Sequence, residues 1–297
     1  MLSVGIGGGG DVVGALVTAD LARDAGLGAH VGGVTWERRP IDPHPGPRRL
    51  DEVEGAERLG PWAAIAGPDT QGPGPFHFAE SHMARFLGEP VALIDPHGGP
   101  AGVAEGLAQA AGRLGCDAVA LVDVGGDVLG HGDEPGLASP LCDAVLFAAS
   151  RHLDLPCVGV VFGPGCDGEL SPAEVSERIA EVAAAGGLLG AWGLTPGEVE
   201  RLEAAVAEVP TEASAQALRC ARGGYGPATI RDGRRGLELS PLGAVAFYFE
   251  PEAAMRSAAR LAAAVADAGS LEEAEEVLAA RGVRTELATE RRVFAER

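Results

Sequence analysis

Two hydrophobic rhythms alternate along most of this chain: short continuous apolar runs, and stretches where apolar residues return every three or four positions. The first run, from Leu2 to Ile6, ends in four glycines, Gly7, Gly8, Gly9 and Gly10, followed by Asp11. A helix is expected over 12–25, with Val13, Leu16, Val17 and Leu21 on one face and Asp11 as its N-cap. Strands are expected over 30–35, 62–66, 90–94, 117–122 and 156–162. Helices over 78–87, over 101–114 and from Ser139-Pro140 lie between them. Beyond residue 170, Ser171-Pro-Ala-Glu174, Thr195-Pro-Gly-Glu198, Thr211 and Ser270-Leu-Glu-Glu273 read as helix starts. Residues 228–240 alternate around Asp232-Gly233 as a hairpin, and 244–249 form a last strand. Strands separated by helical patterns of about 10–15 residues imply an α/β fold: three layers, doubly wound, with a mostly parallel sheet between helices. One domain over 1–297 is expected, with 1–170 as a nucleotide-binding-like core completed by a helical and hairpin extension over 171–297.

Ligands of such sheets bind beyond the carboxyl ends of the strands. Each of the first six expected strands is followed at once, or within a few residues, by an acid: Asp11, Glu37, Asp69, Asp95, Asp123 with Asp127, and Asp167 with Glu169. Acids sharing one edge repel, which raises pKa values and suits either general acid–base work or a hard cation such as Mg²⁺. Asp123 and Asp127 bracket Gly125 and Gly126 and are the candidate metal ligands. Together with Glu134, Cys166 and Asp167 they are also the candidate catalytic groups. The same acids also serve as ordinary helix caps and turn formers. The tetraglycine, leading into a helix N-terminus, suits a phosphate or carboxylate. With it are grouped Arg38, Glu37, Asp69, Thr70, His97, Gly125, Gly126 and Glu212 as candidate substrate contacts. Gly5, Gly7 and Gly10 match GxGxxG spacing, with Glu37 in the ribose-binding place, but a dinucleotide site is not the favoured reading. The Pro-rich stretch from Pro40 to Pro47 is expected as an ordered loop or lid, with Arg38, Arg39, Arg48 and Arg49 either clamping an anion or simply solvated. His97 and His131 sit in strand-end loops where either suits proton transfer.

Composition narrows the chemistry. The 297 residues are 46% hydrophobic and 22% charged, which predicts a packed core. The net charge of −20 argues against nucleic acid or an anionic membrane as partner, leaving a small-molecule ligand, with a homo-oligomer open. All 23 basic residues are arginine, so Schiff-base chemistry and a Walker lysine are excluded. Five cysteines, Cys116, Cys142, Cys157, Cys166 and Cys220, form no CxxC pair. With no signal-peptide pattern and no apolar run of membrane length, reduced thiols in the cytoplasm are expected.

Gly7 to Asp11, the stretch Gly33-Val-Thr-Trp-Glu-Arg38 and Asp123-Val-Gly-Gly-Asp127 together resemble the uncharacterised "domain of unknown function 1152" family over nearly the full chain. A shorter likeness, through Glu37-Arg38 and Gly125-Gly126-Asp127 to Gly132, is to D-glutamate cyclase-like proteins, which carry an amide where Asp127 stands. That likeness implies lyase or hydrolase chemistry on a small carboxylate-bearing metabolite. The expectation is an enzyme acting on a small phosphate- or carboxylate-bearing metabolite, with a nucleotide- or metabolite-binding regulator as the rival.

Overall fold

The computed structural model describes residues 1–296. The chain runs β1 (Leu2–Gly5), α1 (Asp11–Asp24), β2 (His30–Val34), β3 (Glu57–Arg58), β4 (Ala63–Ala66), β5 (Gln71–Gly72), β6 (Phe76–His77), α2 (Ala79–Leu87) and β7 (Val91–Ile94). It continues through α3 (Gly99–Leu114), β8 (Val119–Val124), α4 (Pro140–Ala148), β9 (Cys157–Phe162), α5 (Pro172–Ala184), β10 (Leu188–Gly193), α6 (Pro196–Glu208) and α7 (Ala213–Ala221). Last come β11 (Gly226–Ile230), β12 (Arg235–Leu239), β13 (Val245–Phe249), α8 (Pro251–Arg256), α9 (Arg260–Val265), α10 (Leu271–Ala280) and α11 (Glu286–Ala295).

Alternation within the strands sets the layers. On β8, Val119 and Leu121 face a core shared with α3, α4, α5, α9 and α10, whereas Ala120 and Val122 face one shared with α1, α2, α6 and α7. The sheet between them has nine strands in the order β10-β13-β9-β8-β1-β2-β7-β4-β3. Its five central strands, β9 to β7, pair in parallel; β13 and β4 run opposite to the rest, so the sheet is mixed but mostly parallel. From β1 the chain winds outward through β2 and β7, then returns to β8 on the other side of β1. The switch point is therefore the crevice between β1 and β8, where a doubly wound sheet offers its ligand site.

Two expectations need correction. The strand over 63–66 does not join the parallel set: Ala63 pairs with Ile94 and Ala66 with Val91, antiparallel. The reason lies in residues 67–78, a non-helical Gly/Pro segment with the tiny hairpin β5–β6. It carries the chain back along the sheet to Ala79, whose amide meets Glu37 at the far edge, before α2 descends to β7. Asp69 and Thr70 consequently follow a strand that ends at the opposite edge, and the chain has already turned back by Thr70, whose carbonyl accepts from Ser81 Oγ in the first turn of α2 at 2.7 Å. The second correction is β10, an unforeseen edge strand whose six residues are all exposed. It lies between helices, and exposure on both faces removes the burial pattern that makes a strand recognisable.

The expected capping boxes at Ser171 and Thr195 form, and Ser270 caps α10. The hairpin forms as β11–β12 in a sheet of its own. At the start of the molecule, Gly5 lets α1 press against β1. A Cβ there would lie 2.4 Å from the carbonyl carbon of Asp11 and 2.7 Å from the amide nitrogen of Val12. Both are backbone atoms that cannot swing aside. Gly5→Ala is therefore expected to cost about 2 kcal/mol in equilibrium urea unfolding; an unchanged midpoint would contradict this packing.

Candidate active site

Three carboxylates meet at the switch point from three different elements. Asp11 is the first residue of α1, Asp123 is the penultimate residue of β8, and Asp143 sits in the first turn of α4. α1 and α4 cover opposite faces of the sheet, so the sheet edge is what brings them together. One oxygen of each lies within 4.8 Å of the others. A second trio, Asp127, Asp167 and Glu169, meets the same criterion. Asp123 and Asp127 belong one to each trio, and repulsion from Asp123 is among the causes that raise Asp127.

The local bonds explain how the chain holds this much charge. Asp11 does not act as an N-cap, which corrects the expectation; Gly10 occupies that position without a side-chain bond. Instead Asp11 Oδ2 accepts from the amides of Gly7 (3.0 Å) and Val124 (3.4 Å), tying the glycine loop to the end of β8. Asp123 Oδ2 accepts from the Val128 amide at 3.0 Å, while its Oδ1 has no partner. The Oδ1 atoms of Asp143 and Asp167 are likewise buried without a partner. Glu169 is the opposite case: it accepts from the amides of Ala138 (2.7 Å) and Ser139 (2.9 Å) and the Ser139 hydroxyl, and it faces Arg231 and Arg235, each at 3.7 Å.

Burial and mutual repulsion push these acids up. Asp11, partly exposed as a residue but with its carboxylate deep in the protein, is raised to about 8 by burial and then by Asp123. Asp123 is raised to about 6 by burial, restrained by the Val128 and Gly126 amides and by Asp127. Asp127, Asp143 and Asp167 stand well above the usual carboxylate range, with burial first and neighbouring acids next. Such interacting acids titrate as a group rather than singly.

The glycines admit these side chains. A Cβ on Gly7 would lie 2.6 Å from Asp11 Oδ2 and 3.2 Å from Asp143 Oδ1. A Cβ on Gly125, whose φ is +134°, would lie 2.3 Å from Asp167 Oδ1. Elsewhere close packing accounts for them. Gly8 faces the Trp36 carbonyl, Gly10 faces Thr211, and Gly126 faces Val175. The loop's hydrogen-bonding capacity is also partly engaged, with the Gly9 amide donating to the Trp36 carbonyl at 2.9 Å.

Arg38 borders the site, with Nη2 donating to the Gly7 carbonyl at 2.7 Å and its guanidinium carbon 4.4 Å from the Trp36 ring centroid. Its charge is already met by Glu286 (3.6 Å) and Glu290 (3.3 Å) on α11, which outweigh burial and hold the guanidinium protonated. Glu286 also accepts from the amides of Leu141 (3.0 Å) and Cys142 (2.8 Å), fixing the turn of α4 that carries Asp143.

Other expected site residues have different partners. Glu134 accepts from the amides of His131 and Gly132 and faces Arg178 at 3.3 Å; these outweigh its burial and hold it below the usual range, as in a turn clamp. His131 pairs with Glu181 at 3.0 Å. His97 bonds Asp95 at 2.6 Å, and Asp95 also accepts from the Leu50 amide, so both anchor loops. Glu37 accepts from the Ala79 amide at the start of α2. Glu212 accepts from the Arg231 amide at 3.0 Å. Thr70 accepts from the Gly67 amide and donates to the Gly55 carbonyl, holding the turn that follows β4. Cys166 is buried against Cys220, whose hydrogen bond, together with burial, pushes its thiol well up. Arg48 is a strut of the Pro-rich loop, forming an ion pair with Asp42 at 2.9 Å and donating to the carbonyls of Pro45 and Gly46.

A cavity of about 390 Å³ opens beside the second trio, lined by Gly136, Gly168, Glu169, Ser171, Glu174 and Glu238 among others. It reaches the acidic cluster at Glu169, not at the glycine loop.

Sequence reasoning missed Asp143, Glu286 and Glu290. Asp143 left a signal: it is the only charged residue in the nine-residue apolar helix α4, every residue of which is buried. Glu286 left a fainter one, an acid directly after Thr285, which caps α11.

Among the described residues, no helix is long and apolar enough to cross a membrane. No curated protein and no solved structure matches the chain, and the likeness to D-glutamate cyclase-like proteins finds no counterpart. One family model, described as Protein of unknown function (DUF1152), matches residues 2–294, and the chain belongs to that family.

Proposed function

We propose that this protein is a cytoplasmic enzyme, a hydrolase or lyase, acting on a small polar metabolite that carries a phosphate or carboxylate group. The observation that carries the reading is the meeting of Asp11, Asp123 and Asp143 at the switch point, with buried oxygens of Asp123 and Asp143 that no protein group satisfies. Buried polar atoms in folded proteins are almost always hydrogen-bonded, and exceptions concentrate where chemistry occurs. In this reading Asp123 and Asp127 move protons or help hold a cation. The N-terminus of α1 supplies the positive potential that draws the anionic group. Nucleic acid and membrane surfaces do not suit an edge with this density of acids.

The test is turnover. The purified chain is incubated with a panel of phosphate esters and of hydroxy- and amino-acids, with and without Mg²⁺, and products are read by mass spectrometry. Asp127→Asn, with an unchanged circular dichroism spectrum, is expected to lower turnover by about 100-fold. Full turnover by folded Asp127→Asn overturns the assignment. Ligand binding without product across the panel supports the rival reading, a metabolite-binding regulator.

A further inference from the structure

We infer that Asp11, Asp123 and Asp143 form a binding site for one divalent cation of the Mg²⁺ or Mn²⁺ type. Several observations lead to this trio rather than to acids in general. Asp123 and Asp143 are 1% and 2% exposed, and each keeps an Oδ1 without a hydrogen-bond partner. Leaving buried carboxylate oxygens unpaired is costly, and a cation held by the trio removes that cost for Asp123 and Asp143 at once. The nearby positive charge, Arg38, is already engaged by Glu286 and Glu290. Gly7 provides the space: its missing Cβ would sit against both Asp11 Oδ2 and Asp143 Oδ1.

The other two acidic groups each contain a glutamate whose charge the protein already meets. In the trio Asp127, Asp167 and Glu169, the last residue is met by two amides, a hydroxyl and two arginines. In the group His131, Asp133 and Glu134, the glutamate is taken up by two amides and Arg178. In each, one carboxylate is already taken up by protein groups, although Asp167 also keeps an Oδ1 without a partner.

The donor set selects the ion. Three carboxylates with no histidine or thiolate favour a hard cation over zinc. Oxygens bound at about 2.1 Å around one Mg²⁺ lie at most roughly 4.2 Å apart, and those of the trio, all within 4.8 Å of one another, reach that spacing with small side-chain adjustment. Three protein ligands leave about three positions of an octahedron for water and for oxygens of a phosphate or carboxylate. For its catalytic use this inference rests on the enzyme proposed above, but the site itself is tested without turnover.

The experiment is calorimetric titration of the chelator-treated full chain with MnCl₂, with Mn²⁺ electron paramagnetic resonance as a second readout. One saturable site is expected. Asp143→Asn keeps the shape of the side chain, and it is expected to weaken Mn²⁺ at least about tenfold without lowering the melting temperature measured in chelator. Glu169→Gln is expected to leave the affinity within about threefold of wild type, because Glu169 is satisfied by protein groups. The inference is overturned if the wild-type chain shows no saturable Mn²⁺ binding up to about 10 mM. It is overturned equally if Asp143→Asn binds as wild type, or if Glu169→Gln weakens binding as much as Asp143→Asn. Turnover without cation binding removes this site and leaves the enzyme; cation binding without turnover removes the enzyme and leaves this site.

Discussion

Glu286→Ala is expected to destabilise the protein by about 3–5 kcal/mol, the range for breaking a buried, hydrogen-bonded charge network. Glu286 is 6% exposed and joins three parts of the molecule: the start of α11, the first turn of α4 and Arg38. Truncation leaves the Leu141 and Cys142 amides without acceptors inside the protein. Each orphaned buried donor costs about 1–3 kcal/mol. It also removes a counter-charge from Arg38. Glu286→Gln keeps one carbonyl acceptor but points an NH₂ group at the second amide, so a loss of about 1–2 kcal/mol is expected for it. Urea unfolding of the three proteins measures both effects. A midpoint for Glu286→Ala within about 1 kcal/mol of wild type would mean that α11 is not anchored as described.

Glu37→Gln is expected to stabilise the protein at pH 8 by up to about 3 kcal/mol and to leave it unchanged at pH 4. Glu37 is raised from 4.5 to about 7 because burial outweighs the Ala79 amide and Arg38. Glu80, which bonds the Val34 amide, stands well above its ordinary value for the same reason and through repulsion from Glu37. Below pH 4.5 the carboxyl is protonated both folded and unfolded, and the charge exacts no penalty. Between 4.5 and about 7 the unfolded chain has released a proton that the fold retains, so stability falls as pH rises. Above about 7 the folded protein carries the full cost of a buried charge. Glutamine keeps an acceptor for Ala79 and never ionises, and it also relieves Glu80. Unfolding midpoints of both proteins at pH 4, 6 and 8 should diverge with rising pH; parallel curves would show that Glu37 is not held protonated by the fold.

Asp123 and Asp127 were recognisable in the sequence because two acids around a Gly-Gly exceed what one turn uses, and both sit in the cluster. Glu134 and His97 looked equally suitable, yet their atoms are taken by neighbouring amides and carboxylates, a matter of hydrogen-bond geometry that spacing does not record. Asp69 was grouped with the strand-end acids on the assumption that every strand points the same way. β4 runs antiparallel, so the turn that carries Asp69 leaves the sheet at the other end from the turns that carry those acids. Asp143 was passed over because it does not follow a strand directly, although a lone charge in an apolar helix is visible without coordinates.

The sequence alone determined the α/β class, most strands and helices, the capping boxes and the tendency of acids to follow strands. These are local properties: periodicity, caps and glycine turns act over a few residues, and the chain states them wherever it is read. Only the tertiary structure decided the strand order, the reversal of β4 and the contact of α11 with α4. It also decided which acids share one crevice and which find amides or arginines. Those outcomes depend on contacts between residues far apart in sequence, such as Asp11 with Asp123 and Leu141 with Glu286, and such pairings take shape only when the sheet closes and both its faces are covered.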